Sequence, residues 1–137
     1  MKHRSVRTRA VSRRRGTMTM ELILTLPILM VLLLGIFQFS FLMYARSDVV
    51  QAARAGARLA TLNGIYPEDV EQEVGRSLAG KFRSSYRVQS TLGEYSGDEV
   101  VVTVRVPMTA AAPNLLWPLG YNIRGRDLVA ETRMTKE

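Results

Sequence analysis

Glu21 is the residue whose type and position most require a chemical explanation. It follows Gly16 by five positions and stands directly before 24 consecutive uncharged residues, 22–45. A carboxylate costs up to about 2.5–3.5 kcal/mol at the centre of a bilayer, so it is an unusual residue to find at the start of such a run. If the peptide bond after Gly16 were hydrolysed, Thr17 would carry a new α-amine and Glu21 would become the fifth residue. The amine and the carboxylate could then neutralise each other, within one chain or between neighbouring chains.

A second interpretation of Glu21 needs no cleavage. The N-terminus of a helix favours a negative group, and the cost of a carboxylate at the membrane interface is smaller than at the bilayer centre. Glu21 would then be an interfacial acid in the first turn of a membrane helix. The two interpretations differ in one property, because only the first requires the residues before Thr17 to be removed.

Other residue types that carry catalysis or bind metals are scarce. The chain has no cysteine and one histidine, His3, so metal sites built from nitrogen and sulfur ligands are not expected. Glu94, Asp98 and Glu99 lack the spacing of a calcium loop, and a solvated hairpin is the preferred interpretation of this segment. No glycine-rich phosphate loop and no nucleophile motif is present. We therefore predict no catalytic residue, no metal and no cofactor, and we expect that the protein is not an enzyme.

The excess of positive charge is confined to one end of the chain. The formal net charge is +7, and seven basic residues without an acid lie within the first 15 positions. From Thr17 onward, 12 basic side chains balance 12 acidic ones. One short leader without interleaved aromatic residues does not form the basic surface that nucleic-acid binding requires. The sequence therefore predicts a basic leader, residues 1–16, and no nucleic-acid partner.

The uncharged run, residues 22–45, is long enough to cross a membrane, because about 20 apolar residues in a helix span the hydrocarbon core. Pro27 lies in its first two turns, where it removes one backbone donor and can bend the helix. A cleaved secretory signal is disfavoured, because its apolar region is typically about 7–15 residues long and small residues should follow it. The residues at 41–44 are bulky instead. Basic residues before the run predict a single span with a cytoplasmic N-terminus.

The membrane helix is expected to continue to Leu62. Gly56 is the only glycine or proline between residues 46 and 62, and Asn63 and Gly64 form a plausible C-terminal cap. A helix from Glu21 to Leu62 would be about 60 Å long. One face of its second half carries the small residues Ala53, Gly56, Ala57 and Ala60. Such a face allows close approach by another helix or a sheet, or packing onto the chain's own C-terminal part, and both alternatives remain open.

Residues 63–137 predict a small α+β domain. Pro67 followed by two acids is typical of the first turn of a helix, which would end near Gly80. Residues 86–92 and 99–107 flank a glycine-rich loop and predict an antiparallel hairpin, with a third strand at 127–134. Between them, residues 115–121 (LLWPLGY) are either an apolar plug or a subunit contact. We favour the plug, because tryptophan and leucine in a loop usually pack beneath it.

Two blocks of the sequence resemble one family. Basic residues, Gly16, four residues and Glu21 resemble the type III prepilin signal, which prepilin peptidases of the inner membrane cut after the glycine. The stretch ELILTLPILMVLLLGIFQF resembles the membrane segment of the TadE-like family of the tight-adherence (Tad) pilus, with matches at Glu21, Pro27 and Gly35. Downstream, QAARAGARLA resembles the family's Ala-Ala-Arg-x-Gly-Ala-Arg-x-Ala stretch. Leu22 stands where major Tad pilins tend to have tyrosine, and the chain is longer than they are, which favours a pseudopilin or minor pilin.

The resemblance implies a pilin-like fold, cleavage between Gly16 and Thr17, and a role in assembling a Tad-type pilus for adhesion or secretion. The implied partners are the inner-membrane prepilin peptidase, other pilins, Tad assembly proteins and membrane lipid. The expected division is a leader at 1–16, a membrane-spanning and extended helix at 17–62, and an extracytoplasmic domain at 63–137. Two alternatives remain: an uncleaved single-pass anchor that acts in assembly or adhesion, and a membrane-anchored enzyme with a diffuse site.

Overall fold

The computed structural model describes residues 14–78 and 80–137, without the side chains of residues 14–17 and 81. Most of the basic leader, including His3, lies outside the described residues. The elements are α1 (Arg14–Ala60), α2 (Pro67–Ser77), β1 (Arg87–Thr91), β2 (Glu99–Pro107), α3 (Met108–Ala111) and β3 (Asp127–Thr135), with 3₁₀ turns at Gly80–Phe82 and Trp117–Leu119. A long apolar helix, a short second helix and a three-stranded antiparallel sheet confirm the predicted α+β fold class.

Helix α1 is a single element of 47 residues with Pro27 in its interior. At 1.5 Å per residue it is about 70 Å long, more than twice the thickness of a bilayer core. Within the described part of the chain, the helix over Met18–Ala60 is long and apolar enough to cross a membrane. It ends at Ala60, two residues before the predicted end at Leu62, because the Leu62 amide donates to the Leu59 carbonyl (3.1 Å) and tightens the last turn.

The sheet has the order β1-β2-β3, and both strand pairs are antiparallel. Alternate side chains of a strand point to opposite faces, so β2 divides its residues between the core and the surface. Four valines of β2 are fully buried: Val100, Val102, Val104 and Val106. Full burial of a valine stabilises a fold by about 1.5–3 kcal/mol relative to its exposure, and this row is therefore a main contributor to the stability of the sheet.

Residues 42–137 form one body around the C-terminal half of α1, which packs against α2, β2 and β3. Helix α2 begins where the Tyr66 amide donates to Asp69 Oδ2 (3.0 Å), and it buries Val70 and Val74. The body is thus built on α1, and the helix belongs both to the body and to the apolar stretch that precedes it.

The direction of β2 and β3 determines which loop lies beside the apolar half of α1. The Glu137 amide donates to the Thr61 carbonyl (3.3 Å), so the C-terminus lies at the distal end of α1. The 93–98 loop lies at that end too, because the Gly97 amide donates to the Lys136 carbonyl (3.0 Å). The opposite end of the sheet, where Pro107 pairs with Asp127, leads into residues 108–126. This segment therefore extends toward the apolar half of α1.

Candidate functional site

The predicted cleavage bond between Gly16 and Thr17 lies in the first turn of α1, which begins at Arg14. The first turn of a helix lacks partners for its amide groups, and glycine lowers helix stability by about 0.5–1 kcal/mol relative to alanine. This turn can therefore be unwound into an extended segment at small cost, which is the conformation that a narrow protease site requires.

Glu21 lies one helical turn after Thr17, on the exposed surface of α1. Its backbone carbonyl accepts a hydrogen bond from Thr25 Oγ1 (3.0 Å). Among the residues whose side chains are described, its carboxylate has no ion-pair partner. Positions four apart on a helix are neighbours, so the α-amine of a chain that begins at Thr17 would be within reach of this carboxylate or of a neighbour's.

The first half of α1 exposes apolar side chains around its whole circumference. Between Met18 and Leu33 the exposed large hydrophobic residues are Met18, Met20, Leu22, Ile23, Leu24, Leu26, Ile28, Leu29, Met30, Val31, Leu32 and Leu33. Pro27 lies within this stretch. A continuous apolar surface of this size is rare on soluble monomers and indicates contact with lipid or with other helices.

Gln38 is a residue that the sequence analysis missed. Its side chain is 1% exposed, and its Oε1 accepts hydrogen bonds from the backbone amides of Leu115 and Leu116, both at 3.1 Å. Its Nε2 is buried without a partner among the described residues. Gly35 lies one turn earlier, and a Cβ there would meet Leu116 Cδ1 at 3.9 Å. A lone amide inside an uncharged run is a signal for such a polar contact, because buried polar groups in apolar helices are costly unless they are paired.

The loop held by Gln38 does not bury its aromatic residues. Trp117 is 66% exposed, Leu119 is 61% exposed and Tyr121 is 45% exposed. The preferred interpretation of residues 115–121 as an apolar plug is therefore wrong for these three side chains. Ile123 is fully buried instead, and Gln38 holds the backbone of the loop against α1 through two hydrogen bonds.

The similarity to known proteins lies in helix α1, which contains Gly16, Glu21, Pro27 and Gly35. Residues 16–58, a little under a third of the chain, match the family model for TadE-like protein. This segment is TadE-like. The resemblance read from residues 13–62 is thereby confirmed. No curated protein and no solved structure matches the chain.

The TadE-like segment begins at the glycine of the predicted cleavage bond and ends within the part of α1 that the body covers. Its small-residue face lies in the core: Ala53 and Ala57 are fully buried, and Ala60 is 2% exposed. A Cβ at Gly56 would lie 2.6 Å from Val74 Cγ2. Of the two alternatives for this face, the structure shows close packing against the chain's own α2 and β2.

The body also has an open surface cavity of about 360 Å³ that could be considered as a ligand site. Its lining includes Arg87 and Arg105, which are cross-strand partners in β1 and β2, together with Asp127. Among the described residues there is no group of three or more His, Cys, Asp or Glu residues that could hold a metal ion. The cavity is open and lies at the ends of the strands. It is therefore a weaker candidate for a functional site than the TadE-like helix and the loop held by Gln38.

We expect Gln38→Leu to detach the 115–121 loop from the TadE-like helix. The substitution leaves the amides of Leu115 and Leu116 without an acceptor, and an unsatisfied buried amide costs about 1–3 kcal/mol. Hydrogen exchange at these two amides, measured by NMR in detergent, should become about 5- to 150-fold faster. Ser40→Ala is the matched control, because Ser40 Oγ donates within α1 to the Ile36 carbonyl (2.8 Å) and does not contact the loop. Equal exchange rates in Gln38→Leu and the native protein would show that this contact does not hold the loop.

Proposed function

We propose that the protein is a TadE-like pseudopilin or minor pilin that takes part in assembling a Tad-type pilus. It is a single-pass protein of the inner membrane, with a cytoplasmic N-terminus and an extracytoplasmic body. An inner-membrane prepilin peptidase removes residues 1–16, and its other partners are pilins and Tad assembly proteins. The observation that carries this proposal is the family match, which starts at Gly16 and follows the exposed apolar helix into the body.

The distribution of exposed apolar residues supports a role in which the first half of α1 first contacts lipid and then packs against the helices of other subunits. Its exposed surface is apolar on all sides, while the second half is covered by α2 and the sheet. Helices of this kind are stable in lipid and can pack with other apolar helices without exposing polar groups. The body stays attached to the same helix in both environments.

A cut between Gly16 and Thr17 would place a positive charge beside Glu21, whose carboxylate has no ion-pair partner among the residues whose side chains are described. The α-amine of Thr17 is created only when the leader is removed, and it would lie at the level of the Glu21 carboxylate of its own or a neighbouring helix. Pairing reduces the cost of both charges in an apolar environment. In this proposal, removal of the leader creates the charge that allows neighbouring helices to associate.

N-terminal sequencing of the protein purified from membranes tests the proposal, and the expected first residue is Thr17. We expect Gly16→Leu to remain full-length, because the side chain obstructs the backbone in a narrow protease site. Gly16→Ala is the matched control, since it adds only a Cβ and should retain most of the processing. The measurement is the ratio of full-length to shortened protein after membrane isolation. A Gly16→Leu protein that matures to the native size would show that this cleavage site is wrong.

A second candidate function is an uncleaved single-pass anchor that acts in assembly or adhesion. It is favoured by one observation, the unbroken helix through residues 16 and 17. Under this alternative the purified protein begins at the leader, and substitution of Gly16 has no effect on its size.

A further inference from the structure

The 115–121 loop lies at the level of the membrane if α1 spans it. It is hydrogen-bonded to α1 at Gln38, and one shallow groove between loop and helix is lined by Gly35, Gln38, Phe39, Leu42, Leu116 and Tyr121. With Leu22 at the inner edge of the hydrocarbon core, Gln38 lies about 24 Å along the helix. The core is about 30 Å thick, so this contact falls in its outer third.

The residues of this segment have the chemistry of a membrane interface. No charged residue occurs between positions 107 and 123. The exposed side chains at the tip are Trp117, Leu119 and Tyr121. Tryptophan and tyrosine are enriched at the boundary between hydrocarbon and headgroups, because each combines an apolar ring with one polar group.

The charges that follow the segment are basic and suit the lipid phosphates. Arg124 and Arg126 are exposed, and the Arg126 guanidinium lies 5.7 Å from the centre of the Tyr121 ring. An arginine beside an interfacial tyrosine can hold its charged end among the headgroups while its stem stays against apolar surface.

Most backbone amides of the loop donate hydrogen bonds within the protein, which suits an environment with little water. The amides of Leu115 and Leu116 donate to Gln38 Oε1. Those of Leu119, Gly120 and Tyr121 donate to carbonyls within the loop, at 3.0–3.3 Å. Pro113 and Pro118 have no amide hydrogen to satisfy. Irregular backbone is tolerated at membrane depth only where its polar groups are satisfied. Five of the six amides of residues 115–121 donate in this way, and the exception is the amide of Trp117, at the start of the 3₁₀ turn.

From these observations we infer that the 115–121 loop is a second membrane contact, inserted in the outer interface with Trp117, Leu119 and Tyr121 against lipid and Arg124 and Arg126 at the phosphates. The inference rests on the proposed membrane span of α1. It makes the body lie against the outer leaflet on one side of the helix, with the 93–98 hairpin loop directed away from the membrane.

Trp117 is the only tryptophan in the chain, so its fluorescence tests the inference in the native protein. The full chain is reconstituted in vesicles of phosphatidylcholine and phosphatidylglycerol that contain phosphatidylcholine brominated at a shallow or a deep acyl position. We expect blue-shifted emission that shallow bromine quenches more strongly than deep bromine, and weak quenching by aqueous iodide.

Two variants provide the reference depths, each in a Trp117→Phe background. Leu33→Trp places the fluorophore on the exposed surface of α1 about 17 Å after Leu22, near the bilayer centre, where deep bromine should quench it most. Tyr95→Trp places it in the distal hairpin loop at a residue that is 72% exposed, where only iodide should quench it.

The outcomes separate this inference from the proposed function. Iodide quenching of Trp117 without lipid quenching, while Leu33→Trp is quenched by lipid, would overturn the inference and leave the span intact. Protection of Trp117 from both quenchers would mean that a second copy of the chain covers the loop, which also overturns it. Absence of lipid quenching in Leu33→Trp as well would overturn the span and the inference together.

Discussion

If the proposed function is correct, we expect Glu21→Gln to leave membrane insertion and leader removal unchanged and to abolish association of the mature protein with other pilus components. The proposed cleavage bond lies before Thr17, and the basic leader is expected to set the orientation, so neither step should depend on the carboxylate. Association should depend on it, because the α-amine that cleavage would create at Thr17 needs a negative partner when helices pack in an apolar environment. Loss of one partner of a desolvated pair costs about 3–5 kcal/mol, which corresponds to a more than 100-fold weaker contact.

Crosslinking in membranes, followed by co-purification, measures this effect. Thr25→Val is the matched control, since it replaces a polar residue one turn further along the same face without removing a charge. It should associate as the native protein does. If the matured Glu21→Gln protein crosslinks normally, Glu21 is better explained as an interfacial acid, and the pairing with Thr17 is excluded.

Gly56→Ala destabilises the body by about 1–3 kcal/mol, the usual cost of overpacking a core. The added Cβ would lie 2.6 Å from Val74 Cγ2 and 3.3 Å from Val70 Cγ1. Both valines are fully buried and stiff at χ1, so neither can turn away. Gly56→Leu adds three further atoms at the same place and is expected to prevent α2 from docking. The measurement is the midpoint of guanidinium unfolding in detergent, followed by circular dichroism.

Gly35→Ala is the control for this prediction, because the same substitution in the same helix meets only Leu116 Cδ1, at 3.9 Å. It removes a helix glycine without a clash and should not lower stability. A second control combines Gly56→Ala with Val74→Ala, which removes the clashing methyl group, so that the alanine at 56 should then cost less. Equal destabilisation by Gly56→Ala in both backgrounds would contradict the steric explanation.

The parts of the fold that repeat a local pattern could be predicted from the sequence. The predicted strand at 99–107 has the bounds of β2, because a pattern with a period of two identifies a strand from a few consecutive residues. The long uncharged run predicted a helix that is long and apolar enough to cross a membrane, and Pro67 with its two following acids predicted the start of α2. In each of these cases the information lies within a few residues of the feature.

The contact between Gln38 and the 115–121 loop could not be predicted in this way. The two partners are separated by 77 residues, and nothing near Gln38 indicates which amides it will bind. The exposure of Trp117 has the same origin. In water, a tryptophan beside prolines and leucines is expected to be buried. Trp117 instead lies in a loop beside the apolar half of α1, and the directions of β2 and β3 determine that position. Tertiary placement, not composition, determines the environment of this loop.

The continuity of α1 has a mechanical consequence. The same helix forms part of the core of the body and the apolar stretch that precedes it. A force applied to the body is therefore transmitted directly to the apolar stretch, because no flexible linker separates them. The helix is expected to bend most easily at Pro27, because proline removes a backbone hydrogen bond. Pro27 precedes Gln38, the residue that holds the loop against α1. If α1 spans a membrane as proposed, a pull on the body moves the whole helix as one rod that bends at Pro27, so the body and its anchor would leave the membrane together.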